Sequence, residues 1–313
     1  MQNKDQAFMK AALCTAYGAP EVLQVTAIPR PVPGDRQILV QVLASTVNSG
    51  DVRVRGLIGQ GWMRLLMRLM IGFRKPRKPV LGTVFAGRVV ATGKNVQLYK
   101  PGDEVFGMTG FGFGCHAEYL VIKERSALFH KPSSGGFEEA AAIVFGGTTA
   151  LFFLEKANLS QRKYPHVLVY GATGSVGSSA VQLAIAGGAK ITAVCSAAGT
   201  ELARSLGATT VIDYRQTQPK DLPGKYDIVF DAVGKLRKGE CKKLLNPGGR
   251  FITVGGMNYA AETRAQLEQL KTLFEEGRLQ PVIDRVYTLD EIREAHRYVD
   301  TERKKGNVVL RIG

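Results

Sequence analysis

The sequence predicts an α/β fold in which a β-rich first part leads into a doubly wound parallel sheet. Three observations carry this expectation. Residues 167–188 read VLVYGATGSVGSSAVQLAIAGG, an apolar strand run, a glycine-rich turn and a helix-forming stretch. From about Phe137 onward strand and helix patterns alternate, as a parallel sheet with crossover helices requires. Before that point, short strand-like runs are separated by Gly, Pro, Asn and Asp turns, at the spacing of a barrel or a sandwich.

Taken in order, Met1 to Phe8 are polar and are expected to form a loose extension. Residues 37–47 alternate apolar and polar for several positions and then turn at Asn48-Ser49-Gly50-Asp51. Residues 57–73 place Trp62, Leu66, Leu69 and Phe73 at i, i+4, i+7 and i+11, with Arg64 and Arg68 one turn apart. That is an amphipathic basic helix, suited to a lid packed on the first domain or to an apolar substrate wall, and less well to a membrane surface. Residues 84–92 form a strand ended by Gly93-Lys94-Asn95, and Glu104 opens another after a turn cluster at 99–103. Glu138 to Lys156 is helical, with an interruption expected at Gly146-Gly147. Strands then follow at 167–170, 190–195, 210–213, 226–231 and 249–255, with helices at 175–187, 199–206, 236–245 and 262–277. GNVVLRIG closes the chain as a strand.

At 313 residues the chain is long enough for two domains, since one core seldom grows past ~250–300 residues. There is no run of 18 apolar residues and no secretory segment near Met1, which reads as cytoplasmic. Cys14, Cys115, Cys195 and Cys241 have no paired spacing, which fits reduced thiols and argues against a disulfide framework or a zinc knuckle. The net charge is +15, and eight basic residues with no acid lie between Arg53 and Lys78. Such a segment attracts a phosphorylated cofactor, nucleic acid or a lipid surface. It lacks the interleaved aromatic residues of a base-stacking surface, so nucleic acid is not the expected partner.

The central turn has a chemical logic. Ala172-Thr173-Gly174-Ser175-Val176-Gly177 fits the dinucleotide fingerprint with alanine in the first glycine place. Gly174 removes a Cβ where backbone must approach a pyrophosphate, Gly177 lets helix pack on strand, and the helix start offers N–H groups to the anion. Ser196 follows the next strand, where an acid would hold the ribose of NAD. VCSAAGT offers none before Glu201, so NADP(H) is favoured over NAD(H). His116 reads as a turn histidine, and His130, His166 and His296 are isolated.

Further stretches carry a family resemblance: YGAPEVLQV, NSGD, LGTVFAG, KPGDEVFG, CHAEYL, EEAAAIVFGGTTAL, YGATGSVG, SLGAT with VIDY, PVIDR and AHRYVD. In this order, from Met9 to the C-terminus, they resemble the zinc-free, quinone oxidoreductase-like branch of the medium-chain dehydrogenase/reductase superfamily. The resemblance implies a GroES-like β-barrel catalytic domain at 9–134, a Rossmann domain at 135–277, and a return segment at 278–313 that completes the first. It implies hydride transfer from a nicotinamide cofactor held between the domains to a quinone or an α,β-unsaturated carbonyl compound. The alternatives are metal-free alcohol oxidation, and a nucleotide- or RNA-binding protein that keeps the fold without turnover.

The same resemblance allots roles. Asn48 and Asp51 match the active-site turn, and Thr149 a residue that contacts the nicotinamide end. Gly171 to Gly177, Ser196, Tyr214, Arg215, the Val254-Gly255-Gly256 turn and Asn307 fall among the cofactor contacts. Zinc-dependent relatives have a Cys near the first turn and a His-Glu pair in the LGTVFAG stretch. Here stand Asn48, Ser49 and Asp51, then Thr83 and Val84, so no zinc is expected. After FITVGG the chain also lacks the residues of a sixth sheet strand, and a dimer built on that edge is expected to be weakened.

Overall fold

The computed structural model describes residues 7–59, 61–256 and 260–313. They fall into two compact units. The first comprises Met1–Val144, Thr263–Glu268 and Ile283–Gly313, and the second Phe145–Glu262 and Gln269–Val282.

In the first unit β1 (Phe8–Cys14) and β2 (Leu23–Pro29) form an antiparallel pair. Phe8 pairs with Pro29 and so belongs to a strand, while Met1 to Gln6 lie outside the described residues. β3 (Gln37–Val47) is the long central strand, and α1 (Ser49–Gly56) and α2 (Trp62–Ile71) follow it. Phe73 therefore stands beyond the helix expected over 57–73. β4 (Val84–Thr92), β5 (Glu104–Met108), β6 (Tyr119–Lys123) and β7 (Leu128–His130) complete this stretch. β3 pairs with both β4 and β6 and is buried along most of its length. Val40, Val42, Phe85, Val105 and Leu128 close the core around it.

α3 (Phe137–Lys156) runs on without a break, and the division between units falls within it, after Val144. The expected interruption at Gly146-Gly147 is absent because these glycines serve close packing. A Cβ on Gly146 would stand 2.2 Å from the Ser175 carbonyl oxygen, and one on Gly147 2.6 Å from a Leu270 methyl. Among the described residues α3 is the one helix apolar and long enough to cross a membrane, and most of its length is buried as in a core helix.

The second unit alternates as its sequence predicts. β8 (His166–Tyr170), α4 (Ser175–Ala186), β9 (Lys190–Cys195), α5 (Thr200–Ser205), β10 (Thr210–Asp213) and β11 (Tyr226–Asp231) are followed by α6 (Lys238–Cys241) and β12 (Leu245–Thr253). The helix expected over 236–245 shrinks to α6 and a tight turn, because β12 already begins at Leu245, opposite Tyr226. The sheet order is β10-β9-β8-β11-β12, all parallel, with Val167, Leu168 and Val169 buried on both faces. Chain order reverses between β8 and β11, and ligands bind at such switch points.

Among the described residues the sheet ends at its fifth strand, and 257–259 lie outside them. β12 is a blunted edge. It carries Pro247, Gly248 and Gly249, its register with β11 shifts, and Arg162 donates to the Gly248 carbonyl at 3.0 Å.

α7 (Arg264–Glu275) leads to β13 (Ile283–Thr288), α8 (Ile292–Asp300) and β14 (Asn307–Arg311). β14 pairs with β3, so the chain's end is part of the first unit's large sheet, in the order β13-β14-β3-β4-β5-β7.

Candidate active site

The second unit holds the turn expected to bind phosphate. Gly171 follows β8 at φ 78°, a left-handed conformation that glycine adopts without strain. A Cβ on Gly177 would lie 2.0 Å from the Gly171 carbonyl oxygen, so only glycine lets α4 rest on the turn. Gly174 differs: a Cβ there would meet nothing nearer than 3.6 Å, so its bare backbone is open to an incoming group. No side chain caps α4 at Gly174, and the positive end of a helix dipole favours an anion. Ala172, Ser175 and Val176 are buried, and Thr173 packs on Gly199 in the loop after β9. The phosphate turn and the Ser196 loop are thereby neighbours.

Ser196 is half-buried at the head of that loop. Tyr214 is exposed, its ring 6.4 Å from that of Tyr170, and its N–H donates to the Cys195 carbonyl. Arg215 is exposed, and its N–H donates to Asp213. The expected 2′-phosphate residues thus gather at the ends of β9 and β10, beside the turn. Thr149 lies three residues beyond Gly146 on α3, hence on the face that rests against Ser175.

Val254, Gly255 and Gly256 come after β12, which ends two residues earlier than expected. They are fixed by a residue that sequence reasoning missed. Asp231, fully buried at the end of β11, accepts from the N–H groups of Val233, Gly234 and Leu236 and from the Thr253 hydroxyl. Its backbone carbonyl takes the Val254 N–H. The signal was available: an acid ends the apolar run YDIVFD immediately before a glycine-containing loop.

The first unit holds a buried polar cluster. The Asn48-Ser49-Gly50-Asp51 turn is the start of α1, closed by a reciprocal cap. Asn48 Oδ1 accepts from the Gly50 and Asp51 N–H groups, and Asp51 Oδ2 accepts from the Asn48 N–H at 2.9 Å. Asp51 Oδ1 takes the Gly82 N–H, and Asn48 Nδ2 donates to Thr83 Oγ1 at 3.0 Å. Asn48 and Thr83, far apart in sequence, therefore form a pair, and Asp51 holds it from behind with no exposure of its own. Asn307 is buried at the start of β14, opposite Ile283.

Burial raises the Asp51 pKa to about 7, against the lowering effect of the Asn48 and Gly82 N–H groups. Between pH ~4 and ~7 the unfolded chain has released this proton while the folded one keeps it, so this residue's contribution to stability falls as pH rises. Urea denaturation of Asp51→Asn across that window is expected to lack this slope. The variant's relative stability should rise by on the order of 3 kcal/mol from the acid end to the neutral end. Parallel pH profiles would count against it.

His116 lies in a bend, but away from the surface. It is fully buried, Nε2 3.1 Å from the Thr46 carbonyl, with its ring edge-on to His296 at 5.9 Å. Burial lowers both pKa values, that of His116 to about 4, so both rings are neutral packing groups. Arg55 is also withdrawn from the basic segment, buried in an ion pair with Asp300 at 2.8 Å.

A seven-stranded sheet with a buried amide–hydroxyl pair in one unit, and a doubly wound parallel sheet with a glycine-built turn in the other, are the features of an oxidoreductase with a dinucleotide-binding fold. The alcohol dehydrogenase GroES-like domain family matches residues 34–133, and the zinc-binding dehydrogenase family residues 175–300. A 2-methylene-furan-3-one reductase of Solanum lycopersicum is 33% identical over 96% of this chain and 79% of its own. The NADPH-dependent alkenal/one oxidoreductase of Arabidopsis thaliana, a chloroplastic protein, is 32% identical over the same shares. The solved quinone oxidoreductase of Coxiella burnetii superposes with a TM-score of 0.84 at 25% identity, covering 98% of this chain and all of that one. The chain belongs to the medium-chain dehydrogenase/reductase superfamily, among its quinone oxidoreductase-like members. With a chloroplastic protein among these relatives, family likeness lends no support to a cytoplasmic location.

Zinc, which the second family's description implies, does not fit the Asn48, Asp51 and Thr83 cluster. Zinc takes thiolate, imidazole or carboxylate ligands. Asn48 and Thr83 are neutral and hydrogen-bonded to each other, and Asp51 has both oxygens committed to backbone N–H groups.

Proposed function

We propose that this protein is an NADP(H)-dependent reductase of quinones or α,β-unsaturated carbonyl compounds. The observation that carries the reading is the glycine-built turn at the switch point with Ser196, not an acid, beside it. Bound NADPH would supply the hydride. The bare backbone at Gly174 and the uncapped start of α4 receive the pyrophosphate. Ser196, Tyr214 and Arg215 leave room for the 2′-phosphate and present it with no adjoining carboxylate on the Ser196 loop.

At the reacting end, Thr149 orients the nicotinamide side, and the second amide hydrogen of Asn48 is a donor for oxygen that gains charge. Asp51 is a positioning residue that fixes Asn48. Asn307 and the Val254–Gly256 turn complete the cofactor contacts. Small apolar carbonyl compounds or quinones suit a site without a metal, and subunit pairing through the blunted β12 edge is weak.

The test is NADPH consumption with a quinone, an enone and, in reverse, a secondary alcohol. Turnover of the alcohol alone would favour metal-free alcohol oxidation, and tight RNA binding without turnover would favour the silent alternative. Ser196→Asp is expected to lower NADPH affinity by about tenfold or more and to flatten or reverse the preference over NADH, since a carboxylate repels the 2′-phosphate and accepts from the free ribose diol. Fluorescence titration with both nucleotides reads this. An unchanged ratio would place the 2′-phosphate elsewhere.

A further inference from the structure

α2 is oriented opposite to an ordinary surface helix. Trp62, Leu65, Leu66, Leu69 and Met70 share one face, and that face is the one in solvent. Trp62 is 65% exposed, Leu69 50% and Met70 57%. Met67, Arg68 and Ile71 are half-buried, with Met67 beside Gly59 and the Arg68 Nε out of solvent. Ile58 before the helix and Phe73 after it are exposed as well. A surface helix normally turns its polar side outward, so a patch of this kind marks an interaction face.

The surrounding charge narrows what that face meets. Arg53, Arg64, Arg74, Lys75, Arg77 and Lys78 are exposed, and among the described residues none of the six is in an ion pair. No acid lies anywhere from Val52 to Val80. A second copy of the chain, itself at +15, would bring the same basic segment into opposition. An acyl-chain boundary under anionic headgroups satisfies both halves of the pattern, because it takes the apolar stripe while phosphates meet the flanking cations. At ten residues the helix is far too short to span a bilayer and suits the interface plane, with tryptophan, an interfacial anchor, at its start.

We infer that α2 and its basic flanks dock the protein on anionic lipid bilayers. This stands apart from the redox reading and does not rest on it.

Trp62 is the single tryptophan of the chain, so tryptophan emission, excited selectively over the tyrosines, reports on this helix alone. The full chain is mixed with phosphatidylcholine vesicles holding about a third phosphatidylglycerol, and with pure phosphatidylcholine vesicles. Expected are a blue shift and co-sedimentation with the anionic vesicles, weakened by added salt. Leu66→Asp combined with Leu69→Asp is expected to lower the bound fraction about tenfold or more, with the circular-dichroism melt unchanged. An unshifted emission in the natural protein overturns the inference, as does equal binding to neutral vesicles. A shift that follows protein concentration in the absence of vesicles overturns it in favour of self-association.

Discussion

Gly177→Ala is expected to abolish measurable NADPH binding and to lower stability by several kcal/mol, within the range of severe overpacking. The added Cβ would meet the Gly171 carbonyl oxygen at 2.0 Å and the Ala172 Cα at 2.8 Å. Both are backbone atoms of the same turn, so no rotamer change relieves the clash. α4 must move away from β8 by about 1 Å or more, which spreads the N–H groups meant for one phosphate. Gly174→Ala separates folding from binding. Its Cβ has 3.6 Å to the nearest atom, so the protein should melt normally while losing nucleotide affinity by about tenfold or more. Thermal melting with fluorescence titration reads both variants. Full NADPH affinity in Gly174→Ala would mean that this turn does not cradle the pyrophosphate.

How far the sequence reveals this protein depends on the range of the interaction concerned. β8, the turn and α4 were legible because every cue lies within about twenty neighbouring residues: an apolar run, glycines at fixed offsets, then helical spacing. The same local reading misjudged Gly146-Gly147. Glycine looks like a breaker until the packed partner is known, and here the partner is the Ser175 backbone, near the phosphate turn itself. The turn that holds Asn48 and Asp51 is legible by motif, but the Asn48–Thr83 pair is a contact across 35 residues that no spacing rule reports. The orientation of α2 was equally hidden. Periodicity shows that a stripe exists, and only the fold decides whether it faces inward or outward. Arg55 makes the same point, since one member of a run of like charges turns inward to an acid in α8.

Asp231→Ala is expected to cost the protein about 4 kcal/mol or more. Four donors converge on that carboxylate: the N–H groups of Val233 and Gly234 at 3.2 and 2.9 Å, and the Leu236 N–H and Thr253 hydroxyl at 2.8 and 2.9 Å. Asp231 has no exposure, so water cannot readily replace the lost oxygens, and each stranded donor carries roughly 1–3 kcal/mol of desolvation. The damage is also directional. The carboxylate ties the loop after β11 to the end of β12, and the Gly234 and Gly255 backbones approach so closely that a Cβ on Gly234 would lie 3.0 Å from the Gly255 Cα. Releasing it frees the Val254–Gly256 turn at the crevice end of the sheet, so nucleotide affinity should fall along with stability. Asp231→Asn keeps the shape and one acceptor oxygen but turns an amide toward two donors, and it should lose about half as much. Urea denaturation of both variants, followed by circular dichroism, gives the comparison. A loss under about 1 kcal/mol in Asp231→Ala would show that the loop finds other acceptors and that the carboxylate is not what holds this end of the sheet together.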